Sequence, residues 1–355
     1  MKFIVLIVTL ASIFILPINR YLGTSSLSVD LIYTQTIDRE GTSVAWHPSG
    51  DYFAVGGGQS IYFFYTDDNQ PFQQFTFSVI NIEGLTWNPD GTKLGVVLLE
   101  DDARPFTAAI FDLETQQITT SLEGEAITLI SWNENGTLLA GIHGWTEEER
   151  VYTIWDSQTG TIIDQYRPEE YAPHHRDDIW DTPAQLQWIN DTQFISISGS
   201  SELTIMELID NKINQIRYDI LDDISGGVGA GLQSATLQLS DRQPNTDFII
   251  FFATTGDNST IYVWDTKENL IVTQLYAESP PLIRLQWNPV YHLITSTSRN
   301  GTISFWDAQT TEQITTIDEQ NQSMVLGIAW NPQGDQLVTV NRNGTVNLWS
   351  VSFQN

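Results

Sequence analysis

The chain has 355 residues, 41% of them hydrophobic, and carries 15 Lys or Arg against 44 Asp or Glu, a formal charge of −29. A field of that sign repels phosphate backbones and anionic lipid headgroups, which argues against nucleic acid as a partner. The absence of cysteine excludes disulfides, thiolate metal sites and cysteine nucleophiles.

Lys2 precedes an apolar run from Phe3 to Leu16, followed by Pro17, Ile18, Asn19 and Arg20. A short positive start and a run of that length fit a secretory signal. The run falls short of the roughly 20 residues of a comfortable membrane span. Residues 1–25 are therefore expected to be a signal peptide or an N-terminal membrane anchor, with a small-x-small site at Ser26-Leu27-Ser28. Either reading places the folded part, residues 29–355, outside the cytoplasm. Contact with a membrane is then expected only through that segment, if it is uncleaved.

From there the chain repeats a strand–turn–strand unit. Its clearest copy is residues 326–351, LGIAWNPQGDQLVTVNRNGTVNLWSV. Leu326, Ile328 and Trp330 alternate with smaller residues, the period of a strand. Asn331-Pro332-Gln333-Gly334 has the residue preferences of a type I turn. Leu337 to Val340 reads as a second strand and Val346 to Trp349 as a third. Asn343-Gly344 between them is expected to supply the positive φ angles of a tight hairpin. The anchors of the other copies are Trp46, Trp87, Trp132, Trp188, Leu237 and Trp287. Successive anchors are 41 to 56 residues apart, the extremes being Trp46 to Trp87 and Trp132 to Trp188. Most units then carry a polar turn and a fourth strand, such as Gln117–Leu122, Ile162–Tyr166, Ile271–Tyr276 or Gln313–Ile317.

Each small sheet is apolar on both faces and needs a neighbour on each side, which further copies supply. Four strands per unit and a period in the forties suit a ring of radial sheets. The W-N-P-x-G turns and the dipeptides Trp155-Asp156, Trp264-Asp265 and Trp306-Asp307 make residues 29–355 resemble a WD40-repeat protein. The expected fold is all-β, a seven-bladed β-propeller with four-stranded antiparallel blades. The last unit lacks a fourth strand, and a spare strand, Leu31–Thr36, precedes the first anchor. Pairing of that strand with Thr345–Val351 is expected to close the ring and cover an apolar edge. The sequence also departs from the family. Gly124-Glu125 stands where the family's Gly-His dipeptide would be expected, so its buried His–Ser/Thr–Asp–Trp network is not assumed. Leu237 replaces an anchor tryptophan, and the fourth unit ends in Met206-Glu207.

The resemblance implies a protein-interaction scaffold with no cofactor and no catalytic residue. The loops divide by face: b–c hairpins and d–a crossovers lie on one, a–b and c–d turns on the other. The first kind is long only in blades 2–5: Glu100–Pro105, His143–Arg150, 167–183 and Asp222–Gly231. Long loops on a rigid scaffold often carry binding residues. Of 12 tryptophans, only Trp145 and Trp180 have no place in the repeat, and both fall in these loops. Trp145, Tyr171, His174, His175 and Trp180 are the expected partner-binding residues, for a protein or peptide of polar or basic surface. The alternative is that the two tryptophans pack their own loops.

Other chemistry is weakly signalled. His174-His175-Arg176-Asp177-Asp178 with Asp181 has metal-ligand residue types, but adjacent histidines point apart in extended chain and no metal is expected. Gly226–Gly231 lacks the following helix that a phosphate loop needs. There is no nucleophile elbow, H-E-x-x-H or Walker loop. His47 stands in place of a turn Asn and reads as structural. Six Asn-x-Ser/Thr sequons begin at Asn135, Asn190, Asn258, Asn300, Asn321 and Asn343. Two alternatives remain: an extracytoplasmic hydrolase or lyase using carboxylates at the channel mouth, and a glycan or small-ligand binder using the same aromatics.

Overall fold

The computed structural model describes residues 26–100, 106–144, 149–168, 183–198, 202–220, 234–239, 250–255, 260–265, 270–277, 282–318 and 323–354. Strand β1 (Ser26–Thr36) comes first. Blade 1 is β2 (Gly41–Trp46), β3 (Tyr52–Gly57), β4 (Ser60–Tyr65) and β5 (Pro71–Thr76). Blade 2 is β6 (Asn81–Trp87), β7 (Lys93–Leu99), β8 (Thr107–Asp112) and β9 (Gln117–Ser121). Blade 3 is β10 (Ile127–Trp132), β11 (Leu138–His143), β12 (Val151–Asp156) and β13 (Ile162–Tyr166). Blade 4 is β14 (Pro183–Trp188), β15 (Gln193–Ser198), β16 (Glu202–Ile209) and β17 (Lys212–Ile220). Blade 5 is β18 (Ser234–Leu239), β19 (Ile250–Thr255), β20 (Thr260–Asp265) and β21 (Leu270–Tyr276). Blade 6 is β22 (Leu282–Trp287), β23 (Leu293–Ser298), β24 (Thr302–Asp307) and β25 (Gln313–Asp318). Blade 7 is β26 (Val325–Trp330), β27 (Gln336–Asn341), β28 (Thr345–Gln354) and, from the other end of the chain, β1.

The first strands of consecutive blades neighbour one another all the way round, β26 returning to β2. Alternation along each strand sends apolar side chains to both neighbours. In β4, Phe63 packs with Trp87, Leu94 and Phe111 of blade 2. Phe64, one residue on, packs with Val338 and Leu348 of blade 7. Blades 6 and 7 are joined in the same way by Phe305, Trp330 and Leu337.

Closure takes the expected form. β1 pairs antiparallel with β28, with Tyr33 opposite Leu348. The Thr34 hydroxyl donates to Asn347 Oδ1 at 2.7 Å. The strand is longer than the alternation suggested, starting at Ser26 because β28 also runs on to Gln354. Leu27 and Val29 pack on the apolar cluster between blades 6 and 7.

The turns after four anchor tryptophans, two of them N-P-x-G (88–91 and 331–334), are type I turns. In them Gly50, Gly91, Gly136 and Gly334 each donate backbone N–H to the carbonyl three residues back, at 2.9–3.1 Å. The 341–344 hairpin differs from the expectation of two positive φ angles. Only Gly344 is left-handed, at φ 83°, and its N–H bonds Asn341 O at 2.9 Å. This is a type I turn followed by a left-handed glycine, the usual form of a three-residue loop. The tryptophan–aspartate dipeptides also gain a reason. Asp156 Oδ1 accepts from the backbone N–H groups of Gln158 and Thr159, and Asp307 Oδ1 accepts from those of Gln309 and Thr310. Each Asp thus holds the turn into the fourth strand.

A second use of the anchor tryptophans was not visible in the sequence. Trp46 Nε1 donates to Ala329 O at 3.0 Å, Trp87 to Ala45 O at 3.1 Å, Trp132 to Thr86 O at 3.2 Å and Trp188 to Ser131 O at 2.9 Å. In every case the acceptor is the residue just before the anchor of the preceding blade. The indoles therefore stitch blades 7, 1, 2, 3 and 4 in series. Past blade 4 the stitch lapses. Leu237 has no N–H to offer, Trp287 Nε1 is buried with no partner among the described residues, and Trp330 Nε1 bonds Thr295 Oγ1 instead. Half-buried Arg284 carries part of the blade 6–7 seam, donating from Nε to Leu326 O at 2.9 Å.

Candidate interaction face

The expected partner-binding residues, Trp145, Tyr171, His174, His175 and Trp180, lie outside the described residues. So do the segments 1–25, Asp177–Asp181 and Gly226–Gly231. The structure describes the strands from which the loops leave. β11 and β12 end with His143 opposite Val151. One residue further, Tyr152 lies between Ile142 and Tyr166, the last residue of β13. The 145–148 loop and the 167–183 crossover therefore rise from one end of one sheet.

Those stems are fixed by polar groups. Gly144 N–H bonds Ala126 O at 3.1 Å, tying the hairpin to the crossover from blade 2. His143 Nδ1 is 2.8 Å from Glu125 O, so Nδ1 carries the proton and donates it. Its ring packs on Trp155, centroids 5.3 Å apart, and Trp155 Nε1 donates to Glu123 O at 2.8 Å. Gly124 sits at φ 122° against the imidazole, and a Cβ there would fall 2.4 Å from His143 Cε1. A histidine thus does reach the third-strand tryptophan of blade 3, but from the end of β11 rather than from a Gly-His dipeptide. The Trp–Ser/Thr half of the family network is present in blades 6 and 7, where Trp306 Nε1 bonds Ser296 Oγ at 2.8 Å and Trp349 Nε1 bonds Thr339 Oγ1 at 3.1 Å.

The sealed imidazole predicts a pH response. Burial pushes His143 below the usual histidine range, with the Glu125 carbonyl opposing, and its Nε2 has no partner among the described residues. His292 is lowered by burial too, with Asp307 opposing. The unfolded chain takes up protons below about pH 6.5, while these folded groups resist them. Their contribution is therefore intact above the unfolded value and is lost as pH falls towards the lowered folded values, by at most about 1.4 kcal/mol per pH unit for each group. Thermal melts of the wild type and His143→Gln, followed from pH 7 to pH 5, are expected to converge. A constant gap would contradict the sealed neutral imidazole.

The carboxylate alternative has a single foothold among the described residues. Glu83, near the loop end of β6, has its pKa raised by burial and by Glu40, while an Asn81 hydrogen bond of 2.8 Å opposes. Among the described residues no group of three or more His, Asp or Glu is placed to hold a metal ion. No described helix is long and apolar enough to cross a membrane. His47 is where a structural residue would be, its Nε2 3.1 Å from Gly91 O of the next blade and its ring stacked on Tyr52.

Three stretches, residues 35–64, 272–307 and 311–350, match the family model for the WD domain, G-beta repeat. No curated protein matches the chain. The matched stretches run from the fourth strand of one blade through the third strand of the next. The first begins inside β1, the strand that completes blade 7. The sequence repeat and the blade are offset by one strand, and that offset makes the two chain ends share a sheet. Domains of this kind are typically protein-interaction scaffolds and usually non-catalytic. The three matched stretches carry WD40 repeats, and the seven four-stranded sheets are the blades of one closed propeller.

Proposed function

We propose that the protein is a non-catalytic, extracytoplasmic scaffold that captures a polar or basic protein or peptide on the long-loop face of blades 2–5. Trp145, Tyr171, His174, His175 and Trp180 are its anchors. The observation that carries this reading is the shared origin of the 145–148 and 167–183 loops at one end of blade 3. Tryptophans with no part in the repeat are of the residue type that dominates protein interfaces. The export reading rests on Lys2 and the Phe3–Leu16 run.

The test is quantitative affinity capture from a native extract with the full chain and with a Trp145→Ala/Trp180→Ala variant. Loss of a central tryptophan anchor costs about 2 kcal/mol or more. Capture by the double variant should fall at least tenfold, with a melting temperature close to wild type. Unchanged capture with a large drop in melting temperature would assign both tryptophans to loop packing.

A further inference from the structure

A second surface lies away from the long loops, on the outer wall between blades 1 and 2 near the a–b and c–d turns. A cavity of about 140 Å³ opens there, lined by Tyr52, Phe63, Tyr65, Phe72, Phe75 and Leu113. That is room for about four or five waters. Phe63 forms the buried floor, whereas Tyr65 and Phe72 are 44% and 42% exposed. The latter two rings stack, centroids 4.1 Å apart and 23° between planes. Tyr52 meets Phe72 edge-on at 5.7 Å. The platform is held from behind, since the Tyr33 hydroxyl donates to Tyr65 O at 2.9 Å. Both rings back onto Tyr52, and Phe72 onto Phe63, yet each keeps close to half of its surface open to solvent beside the cavity.

The mouth of this cavity is negative. Burial first, then Asp68 and Asp67, pushes the Tyr33 phenol up. Burial, Tyr65 and Asp51 push Tyr52 up to about 12. Asp51, Asp67 and Asp68 are all exposed, and on the far side Leu113 is flanked by Asp112 and Glu114. Asp68 Oδ1 accepts the Gln70 N–H at 2.9 Å, which shapes the turn and leaves the charge in place.

We propose that this groove receives an arginine side chain from a basic polypeptide segment. The planar guanidinium lies over the exposed Tyr65 and Phe72 faces, where the ring quadrupole attracts a cation. The carboxylates of Asp51, Asp67 and Asp68 supply the counter-charge at the rim. A neutral apolar segment would match the rings and waste the carboxylates. A sugar would use the rings and the Gln73 amide and be indifferent to the charge.

The test is fluorescence anisotropy with the full chain and a labelled peptide alternating arginine and glycine. Its control is the same peptide with citrulline, the uncharged isostere, at each arginine. The arginine peptide should bind, and the citrulline peptide should bind at least about tenfold more weakly. Phe72→Ala changes no charge and should weaken the arginine peptide about tenfold, whereas Phe72→Tyr should retain it. Asp67→Asn/Asp68→Asn should weaken it as well and flatten its salt dependence. Running each titration in a Trp145→Ala/Trp180→Ala background as well, where the arginine peptide should still bind and still depend on Phe72, separates this groove from the long-loop face. Equal binding by Phe72→Ala would reduce the effect to general attraction by an acidic protein and overturn the proposal. So would equal binding of the citrulline peptide. Binding of chitohexaose or cellohexaose with none of the arginine peptide would reassign the groove to a glycan.

Discussion

Trp46→Ala should destabilise the protein by about 3–5 kcal/mol, the cost of removing a large buried aromatic, whereas Trp287→Phe should be near neutral. Trp46 is 8% exposed, packs on Phe53 at 5.1 Å and closes the hydrogen bond to Ala329 across the blade 7–1 seam. The informative comparison is Trp46→Phe with Trp287→Phe, since both swaps keep most of the apolar volume and remove one N–H. At Trp46 the swap strands a carbonyl that had a partner, a cost of about 1–3 kcal/mol. At Trp287 it removes a buried donor that has no partner among the described residues, so the penalty for burying that donor is recovered. Chemical denaturation with unchanged slope measures the difference directly. Equal losses at the two sites would mean that the inter-blade indole bonds contribute nothing beyond packing.

A Thr34→Cys/Asn347→Cys pair should form a disulfide unaided and stabilise the fold by up to about 5 kcal/mol. The two residues face each other across β1 and β28, and their side chains already touch at 2.7 Å. Opposed Cα atoms in an antiparallel pair are about 4.5–5.5 Å apart, inside the range a disulfide spans. The cross-link would join positions 313 residues apart, and the entropy removed from the unfolded chain grows with loop length. The gain acts on the step in which the ring opens, because the ends of the chain meet only in blade 7.

The propeller was legible because its signals are local and repeated. Tryptophan, turn and terminal Asp recur every 41 to 56 residues, and a blade that is apolar on both faces has few ways to bury itself. Even the offset of Leu31–Thr36 could be read, because the seventh unit visibly lacks a strand. The indole stitch could not be read. It depends on where each ring nitrogen falls against the neighbouring blade: Trp287, like Trp46, ends a first strand and precedes an X-Pro turn, yet its Nε1 finds no partner among the described residues. The groove between blades 1 and 2 was hidden for a related reason. Tyr62, Phe63, Phe64, Tyr65, Phe72 and Phe75 look alike as a run of aromatics. Only the register, with its irregularity between Phe63 and Phe64, decides that Phe63 is buried while Tyr65 and Phe72 face solvent. His143 was read as part of a long loop. Its place against Trp155 follows from the left-handed backbone at Gly124, a tertiary fit without a local signature.

Ring closure is tested most directly by the mass and mobility of the Thr34→Cys/Asn347→Cys protein, purified in air and run with and without reductant. Since the native chain has no cysteine, any cross-link must be the designed one. A closed ring gives a monomer two hydrogen atoms lighter than its reduced form, more compact on a denaturing gel, and melting higher than the same protein reduced. Two free thiols in the folded protein, or disulfide-linked dimers in place of the closed monomer, would show that the ends of the chain do not share a blade.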